Sequence, residues 1–223
     1  GGQWNILKKS FRVTTDIANL ATQFQRSFFT KKYDYDEIIV QRSLFDRSLI
    51  KYYYLDKVDI PEIMKIYNSI IAETATHDND VCFLSSRVEI LRLIDKYIRD
   101  KLHKKTNTMF ETLEVYEKLK ADFTKDGKTD EQNLKKELEI VRRNKKFNFW
   151  MNSGTTKLST IHSFKGWEIS TLFLLIENES DEEFEFTTDE LVYTAITRCR
   201  QNLIIINIGN QRYDSFFKRT IKN

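Results

Sequence analysis

Apolar residues recur at spacings of three and four along several stretches of the chain, as in helices that bury one face. One stretch follows Thr14, the expected N-cap, and another follows Asp59, with Pro61 in its first turn. A third runs over residues 90–98. The stripe of the first comprises Ile17, Leu20, Ala21, Phe24 and Phe28. We expect three amphipathic helices in this part of the chain.

Short runs that are mainly apolar predict strands, and the runs that are apolar on both faces are typical of central strands in a covered sheet. In chain order these runs are residues 37–40, 81–84, 158–161, 172–176 and 203–208. Between the last two runs, Thr187 and Glu190 form a capping box for one more helix. Strands that alternate with helices indicate an α/β fold, in which a parallel sheet is flanked by helices.

The stretch from Thr112 to about Lys146 is highly charged and helical in pattern, with an interruption at Asp126-Gly127-Lys128. The inner face of its second helix is marked by Leu134, Leu138 and Val141. We interpret this part of the chain as a small helical insertion. The expected segments are therefore 1–103 and 153–223 for the main domain and 104–152 for the insertion.

Composition excludes few partners. The 36 basic and 33 acidic side chains leave a formal charge of only +3, which is weak evidence for a polyanionic partner. Cys82 and Cys199 lie in apolar stretches and are expected to be buried thiols. No apolar run approaches the ~20 residues of a membrane span, and His77 and His103 lack metal-ligand spacing. We expect a cytoplasmic protein with no membrane partner and no metal site of its own.

The stretch Ser159–Glu168 carries the most chemistry, because a strand there runs into a polar turn. Ligands of open α/β sheets bind where such turns follow the carboxyl ends of strands. His162, Lys165 and Glu168 are placed to meet a ligand, and Gly166 would allow its close approach. From these residues alone, a ligand site and an ordinary solvated turn are equally good interpretations.

Three motifs resemble those of UvrD/Rep-type superfamily 1 helicases. His162–Glu168 is similar to motif V, which reads His, two variable residues, Lys, Gly, usually Leu, Glu; Trp167 replaces the leucine. Val192–Arg200 resembles motif VI, Tyr-Val-Ala-Leu-Thr-Arg-Ala in many relatives, on a helix that precedes a strand. Leu7–Arg12 resembles motif IV, commonly Leu, two residues, Asn-Tyr-Arg-Ser. The three motifs occur in the family order.

The resemblance implies a second, C-terminal RecA-like domain of the P-loop NTPase type. It implies that Arg12 and Arg198 reach the γ-phosphate of an ATP·Mg²⁺ held mainly by a preceding N-terminal RecA-like domain, with Gly166 beside the nucleotide and Glu168 on its ribose. Two guanidiniums would offset the charge that develops during phosphoryl transfer. The implied function is an ATP-dependent DNA helicase or translocase, of which this chain is one motor domain.

A phosphate-binding loop of its own is not expected in this chain. Gly127-Lys128-Thr129 matches the end of a Gly-x-x-x-x-Gly-Lys-Ser/Thr loop, but Asp122 stands where the first glycine is required. We therefore expect the chain to be a fragment of a longer protein and to be inactive alone. The alternative is a helicase-like scaffold that binds nucleic acid or regulates without hydrolysis. Residues 112–146 could also serve as a protein-interaction surface.

Two stretches are candidates for binding single-stranded DNA, or alternatively RNA. The first comprises Thr160, His162 and Lys165. The second is residues 142–150, where cations adjoin aromatic rings and could track phosphates while the rings stack on bases. For the second stretch, the favoured interpretation is a charged helix end that runs into a buried aromatic strand.

Overall fold

The structure, a computed structural model, describes residues 9–10, 13–29, 39–40, 48–178 and 188–221. Leu7, Arg12 and Thr187 lie outside these residues, so the predictions made for them stay predictions. Within the described ranges, no helix has both the length and the apolar composition needed to cross a lipid bilayer.

The described elements alternate between strands and helices along most of the chain. In order they are β1 (Lys9–Ser10), α1 (Thr15–Phe28), β2 (Ile39–Val40), β3 (Leu49–Leu55), α2 (Ile60–Thr74), β4 (Val81–Ser85), α3 (Val88–Lys101), β5 (Thr106–Thr108), α4 (Leu113–Asp122), β6 (Thr124–Lys125), β7 (Lys128–Thr129), α5 (Glu131–Phe147), β8 (Thr156–Thr160), β9 (Ile169–Glu177), α6 (Thr188–Ile196), β10 (Cys199–Ile208) and α7 (Gln211–Thr220).

The chain forms two compact units. The first comprises Gly1–Lys57 and Lys165–Asn223, and the second comprises Val58–Phe164. Each unit contains three parallel strands and the helices that cover them, so the predicted α/β fold class is confirmed. The division into segments 1–103, 104–152 and 153–223 stays a prediction.

In the first unit, β10 lies between β3 and β9, and all three strands are parallel. The apolar runs of β9 and β10 are buried on both faces because helices cover them. Helices α1 and α7 share an aromatic cluster in which the Phe24 ring lies 5.5 Å from Tyr213 and 5.9 Å from Phe217. This cluster forms much of the core of the unit.

In the second unit, β8 lies between β4 and β5, again with all strands parallel. Helix α2 begins as predicted: the Asp59 carboxylate accepts a hydrogen bond from the Glu62 N–H at 3.0 Å. The predicted helical stretch resolves into α4 and α5, which are joined by the hairpin of β6 and β7. Asp126 and Gly127 form its turn with φ values of 49° and 75°, so this glycine belongs to a hairpin and not to a phosphate loop.

Some details differ from the sequence analysis. Thr14 is at the N-cap of α1, but its side chain makes no capping hydrogen bond. Strand β3 is not predicted, because only Tyr52 of its seven residues is buried and no apolar run marks it. The polar strand β5 and the helix α7 are also additions to the predicted elements.

Candidate functional site

The turn after β8 belongs to the second unit and is held by Thr160. Its hydroxyl donates to Ser163 Oγ at 2.9 Å and accepts from the Ser163 N–H at 3.3 Å. The Thr160 carbonyl also accepts from the Phe164 N–H at 3.0 Å. His162 is exposed on this turn, while Thr160 is half-buried. Thr160 therefore shapes the turn, and His162 is the predicted contact residue that solvent reaches.

Lys165, Gly166 and Glu168 belong to the first unit. Lys165 and Gly166 are exposed, and Glu168 is half-buried directly before β9. Gly166 has a φ of +95°, a backbone conformation that other residues rarely adopt. A Cβ added there would meet nothing within 4 Å. The glycine is therefore required by the backbone conformation, and the space beside it is open to a ligand.

Arg198 lies in the turn between α6 and β10. The sequence analysis places it on the motif VI helix, but α6 ends at Ile196. The chain forms a 3-10-type turn there, because the Arg198 N–H donates at 2.9 Å to the carbonyl of Ala195, three residues earlier. The last turn of the helix therefore gives way to a bend that leads directly into β10.

Backbone pairing brings Arg198 and Glu168 together. The Ile169 N–H donates to the Arg198 carbonyl at 3.0 Å, and Ile169 pairs with Cys199 where β9 and β10 begin. The register then shifts between Cys199 and Asn202, an irregularity of the kind that can redirect side chains beside a site. Glu168 and Arg198 thus lie at the amino ends of adjacent parallel strands.

The Arg198 side chain carries an unsatisfied donor. Its Nε is buried and has no hydrogen-bond partner among the residues that the structure describes. A buried donor without a partner costs about 1–3 kcal/mol, and more when the group is charged. An acceptor supplied from outside the described residues would remove this cost.

Helix α6, which leads into the Arg198 turn, is anchored at its first residues. The buried Asp189 carboxylate accepts from Arg212 at 2.6 Å and from the Tyr213 hydroxyl at 2.6 Å, both on α7. Farther along the helix, the ring of Tyr193 packs 5.3 Å from that of Phe29. Burial raises the pKa of the Tyr193 hydroxyl. The helix is therefore held against its neighbours at both of these points.

The predicted residues for ATP are partly brought together. The first unit holds Gly166, Glu168 and Arg198, and Arg12 lies outside the described residues. An unpaired guanidinium nitrogen, a half-buried carboxylate and an open glycine fit a phosphate and a ribose. In the described parts of the chain, no group of three or more His, Cys, Asp or Glu side chains is arranged to hold a metal.

The structure of residues 142–150 differs from the one that their sequence was expected to form. No strand follows α5; the chain turns after Phe147 instead. Phe149 is buried, but the side chains of Phe147 and Trp150 are 92% and 68% exposed. The expectation of a buried aromatic strand is therefore wrong. The missed signal is Asn148, the C-cap of the helix, whose side-chain amide donates to the backbone carbonyl of Asn144 at 2.9 Å.

A solved structure has a similar fold: the C-terminal domain of a possible DNA helicase from Lactobacillus plantarum WCFS1. The TM-score is 0.50 and the identity 10%, with 90% of this chain and 89% of that chain covered. No protein-family model and no curated protein matches the sequence. At this identity the likeness concerns the fold, in which helices flank parallel strands as in RecA-like domains.

Proposed function

We propose that this chain is the second RecA-like domain of a UvrD/Rep-type superfamily 1 DNA helicase or translocase. In this proposal, it completes an ATP site whose phosphate loop and Mg²⁺ ligands belong to an N-terminal RecA-like domain of the same parent protein. The observation that carries the proposal is the buried Nε of Arg198, which has no partner among the described residues and whose peptide is paired with the start of the strand after Glu168.

Two independent observations support this assignment. The chain shares its fold with the C-terminal domain of a possible DNA helicase. Its sequence also carries stretches similar to motifs IV, V and VI in the family order, and Lys165-Gly166 favours the UvrD side of the superfamily. The fold and the motifs are separate sources of evidence, because the match in fold comes with only 10% identity.

The proposed role of Arg198 follows from its chemistry. A guanidinium is always charged, and its planar donors match phosphate oxygens better than an ammonium does. The turn between α6 and β10 fixes the Arg198 backbone through its hydrogen bonds to Ala195 and Ile169. Arg12 would supply a second cation, and Glu168 would accept hydrogen bonds from the ribose. ATP·Mg²⁺, when bound, would supply the γ-phosphoryl group whose transfer to water, with release of ADP, drives movement.

For nucleic acid, we propose that His162 and Lys165 contact the single strand and that Thr160 shapes the turn that presents His162. Both contact residues are exposed, and a lysine can neutralise a backbone phosphate. Thr160 can contribute through its half-buried hydroxyl, but its hydrogen bonds to Ser163 give it a positioning role first.

The test is ATP turnover stimulated by single-stranded DNA in the parent protein. Arg198→Ala is expected to lower turnover by at least about a hundredfold, because an arginine finger is worth on the order of 10³ to 10⁵ in rate. Arg198→Lys should restore only a small part of the lost ATP turnover, since an ammonium lacks the planar, bidentate donors of a guanidinium. DNA binding without ATP should change little.

The matched control is Arg200→Ala, which removes an exposed arginine two residues away and should leave turnover near normal. Normal turnover in Arg198→Ala would sink the assignment. If the unaltered parent protein hydrolyses no ATP yet binds nucleic acid, the alternative of a helicase-like scaffold is supported instead.

A further inference from the structure

Two aromatic rings at the end of α5 are displayed to solvent. Phe147 closes the helix, and Trp150 follows three residues later, with exposures of 92% and 68%. Trp150 is polar only at its indole N–H, and Phe147 has no polar atom in its side chain. Exposing both rings at one helix end is costly in water unless something covers them.

Their display is built into the fold. Phe149, between the two rings in sequence, is buried and anchors the segment. The Trp150 carbonyl accepts from the Asn107 side chain of β5 at 3.0 Å, which ties the segment to an edge strand of the second unit. With Phe149 buried and the Trp150 backbone tied down, the two flanking rings are held where solvent reaches them.

The surroundings of the rings are positively charged. The last turns of α5 carry Arg142, Arg143, Lys145 and Lys146, and the sequence has no Asp or Glu between Glu139 and Glu168. Arg142 is occupied, because it donates to Glu111 at 2.7 and 2.8 Å. Among the described residues, Arg143 and Lys146 have no ion-pair partner, and both are exposed.

We propose that the end of α5 and the segment after it bind single-stranded nucleic acid. Phe147 and Trp150 stack on bases, while Arg143 and Lys146 contact the backbone phosphates. Stacking on aromatic rings beside cations is how proteins hold single strands without reading their sequence. The choice of partner rests on the proposed function, since a helicase moves along a single strand, but the site is separate from the residues proposed to contact ATP.

A protein partner fits this surface less well. The other face of α5 is already used, because Leu134 and Leu138 are buried within the second unit. Besides Ile140, which is 44% exposed, what remains exposed toward the end of the helix is two rings among cations, and one aliphatic side chain with two rings is a short apolar stripe for a partner helix. Every base has a face for stacking, and every nucleotide carries a phosphate, so a single strand satisfies both kinds of group.

The experiment measures binding of a labelled oligothymidine of about 16 nucleotides, and of an abasic strand of equal length, to the 223-residue chain. The double variant Phe147→Ala with Trp150→Ala should weaken oligothymidine binding by about tenfold or more, since each stacked base contributes roughly 1–3 kcal/mol. Binding of the abasic strand should change little. Phe147→Tyr with Trp150→Phe keeps both rings and should retain affinity.

The cations are tested by the salt dependence of binding. Arg143→Gln with Lys146→Gln should reduce the slope of log affinity against log salt by about 1.4, because each phosphate contact contributes roughly 0.7 for a single strand. The matched control is Lys135→Gln with Lys136→Gln, which removes two exposed lysines nearer the start of the same helix. This variant changes the charge of the chain by the same amount as the test variant. This control should leave the slope nearly unchanged.

Several outcomes would overturn the proposal: no binding of the oligothymidine by the unaltered chain, equal affinity in the ring-deleted variant, or stronger binding of an acidic peptide such as oligoglutamate. Circular dichroism and thermal unfolding of each variant establish that the fold is intact. Arg198→Ala, which tests the ATP site, should leave this binding unchanged, so failure of one proposal can be told apart from failure of the other.

Discussion

At the scale of single residues, two arginines of this chain contrast in what they bind. Arg92 is buried, donates to Glu111 at 2.7 and 3.0 Å and stacks over the ring of Tyr116 at 3.8 Å. Arg198 has a buried Nε that no described residue satisfies. The first arginine has the contacts of a structural residue. The second has the unmet hydrogen-bonding capacity expected of a residue that binds a ligand.

This contrast leads to a prediction about stability. Arg198→Ala should leave the free energy of unfolding of this chain within about 1 kcal/mol of normal, because removing an unsatisfied donor offsets the packing that is lost. Arg92→Ala should cost about 1.5–3 kcal/mol, since it removes hydrogen bonds to the buried Glu111 carboxylate, which keeps Arg142 as its partner. Urea unfolding of both variants measures the difference. A loss above about 2 kcal/mol for Arg198→Ala would indicate a structural role instead.

At the scale of elements, one buried and one exposed carboxylate join the helices of the second unit. Glu111, just after β5, holds Arg92 of α3 and Arg142 of α5. Burial alone would raise its pKa, but the hydrogen bond from Arg142 and the charges of both arginines lower it overall. Glu114 on α4 bridges Lys96 and Arg99 of α3, and these contacts and its backbone hydrogen bond outweigh desolvation and lower its pKa to about 2.

These shifts set the response of the chain to acid. Because both pKa values are lower in the folded chain than in the unfolded chain, the stabilisation is complete above the ordinary value of 4.5 and is lost as pH falls through the lowered pKa of each group, about 2 for Glu114. As the pH is lowered between these limits, the midpoint of thermal unfolding should decrease steadily. In Glu111→Gln, the free energy of unfolding should fall less steeply as the pH is lowered. The difference in slope corresponds to the uptake of up to about one proton per chain on unfolding. An equal slope in both proteins would contradict this role of Glu111.

Apolar patterns in the sequence are sufficient to predict some strands and helices of this chain but not others. Strands β9 and β10 are predicted because they are buried on both faces and read as apolar runs. Strand β3 is missed because it has one buried residue in seven and therefore lacks such a run. Helix α7 carries a usable signal, since Tyr213, Phe216 and Phe217 have helical spacing. The pattern that predicts α1 could have predicted this helix too.

The candidate site was predictable only through the motifs. Residue spacing alone left the turn around Lys165 undecided between a ligand site and a solvated loop. It could not predict that β9 and β10 begin side by side, because register between strands depends on long-range pairing. The burial of Arg198 Nε is likewise a property of the packed chain, which no local pattern encodes.

At the scale of the whole molecule, the account describes one half of a shared catalytic site. In the proposed function, Arg198 supplies donors for the phosphates, Glu168 a carboxylate for the ribose and Lys165 a cation for nucleic acid, whereas the glycine-lysine sequence at residues 127–128 belongs to a hairpin. Phosphate binding must therefore come from another domain if ATP is to be hydrolysed. The rings at the end of α5 extend the proposed contact with a single strand beyond the motif residues.

The most direct measurement is ATP hydrolysis, with and without single-stranded DNA, by this chain alone and by the chain joined to the N-terminal RecA-like domain of its parent protein. We expect no turnover by the chain alone. The joined protein should show turnover that single-stranded DNA stimulates and that Arg198→Ala abolishes. Turnover by the chain alone, or turnover by the joined protein that does not depend on Arg198, would contradict the claim of a shared site.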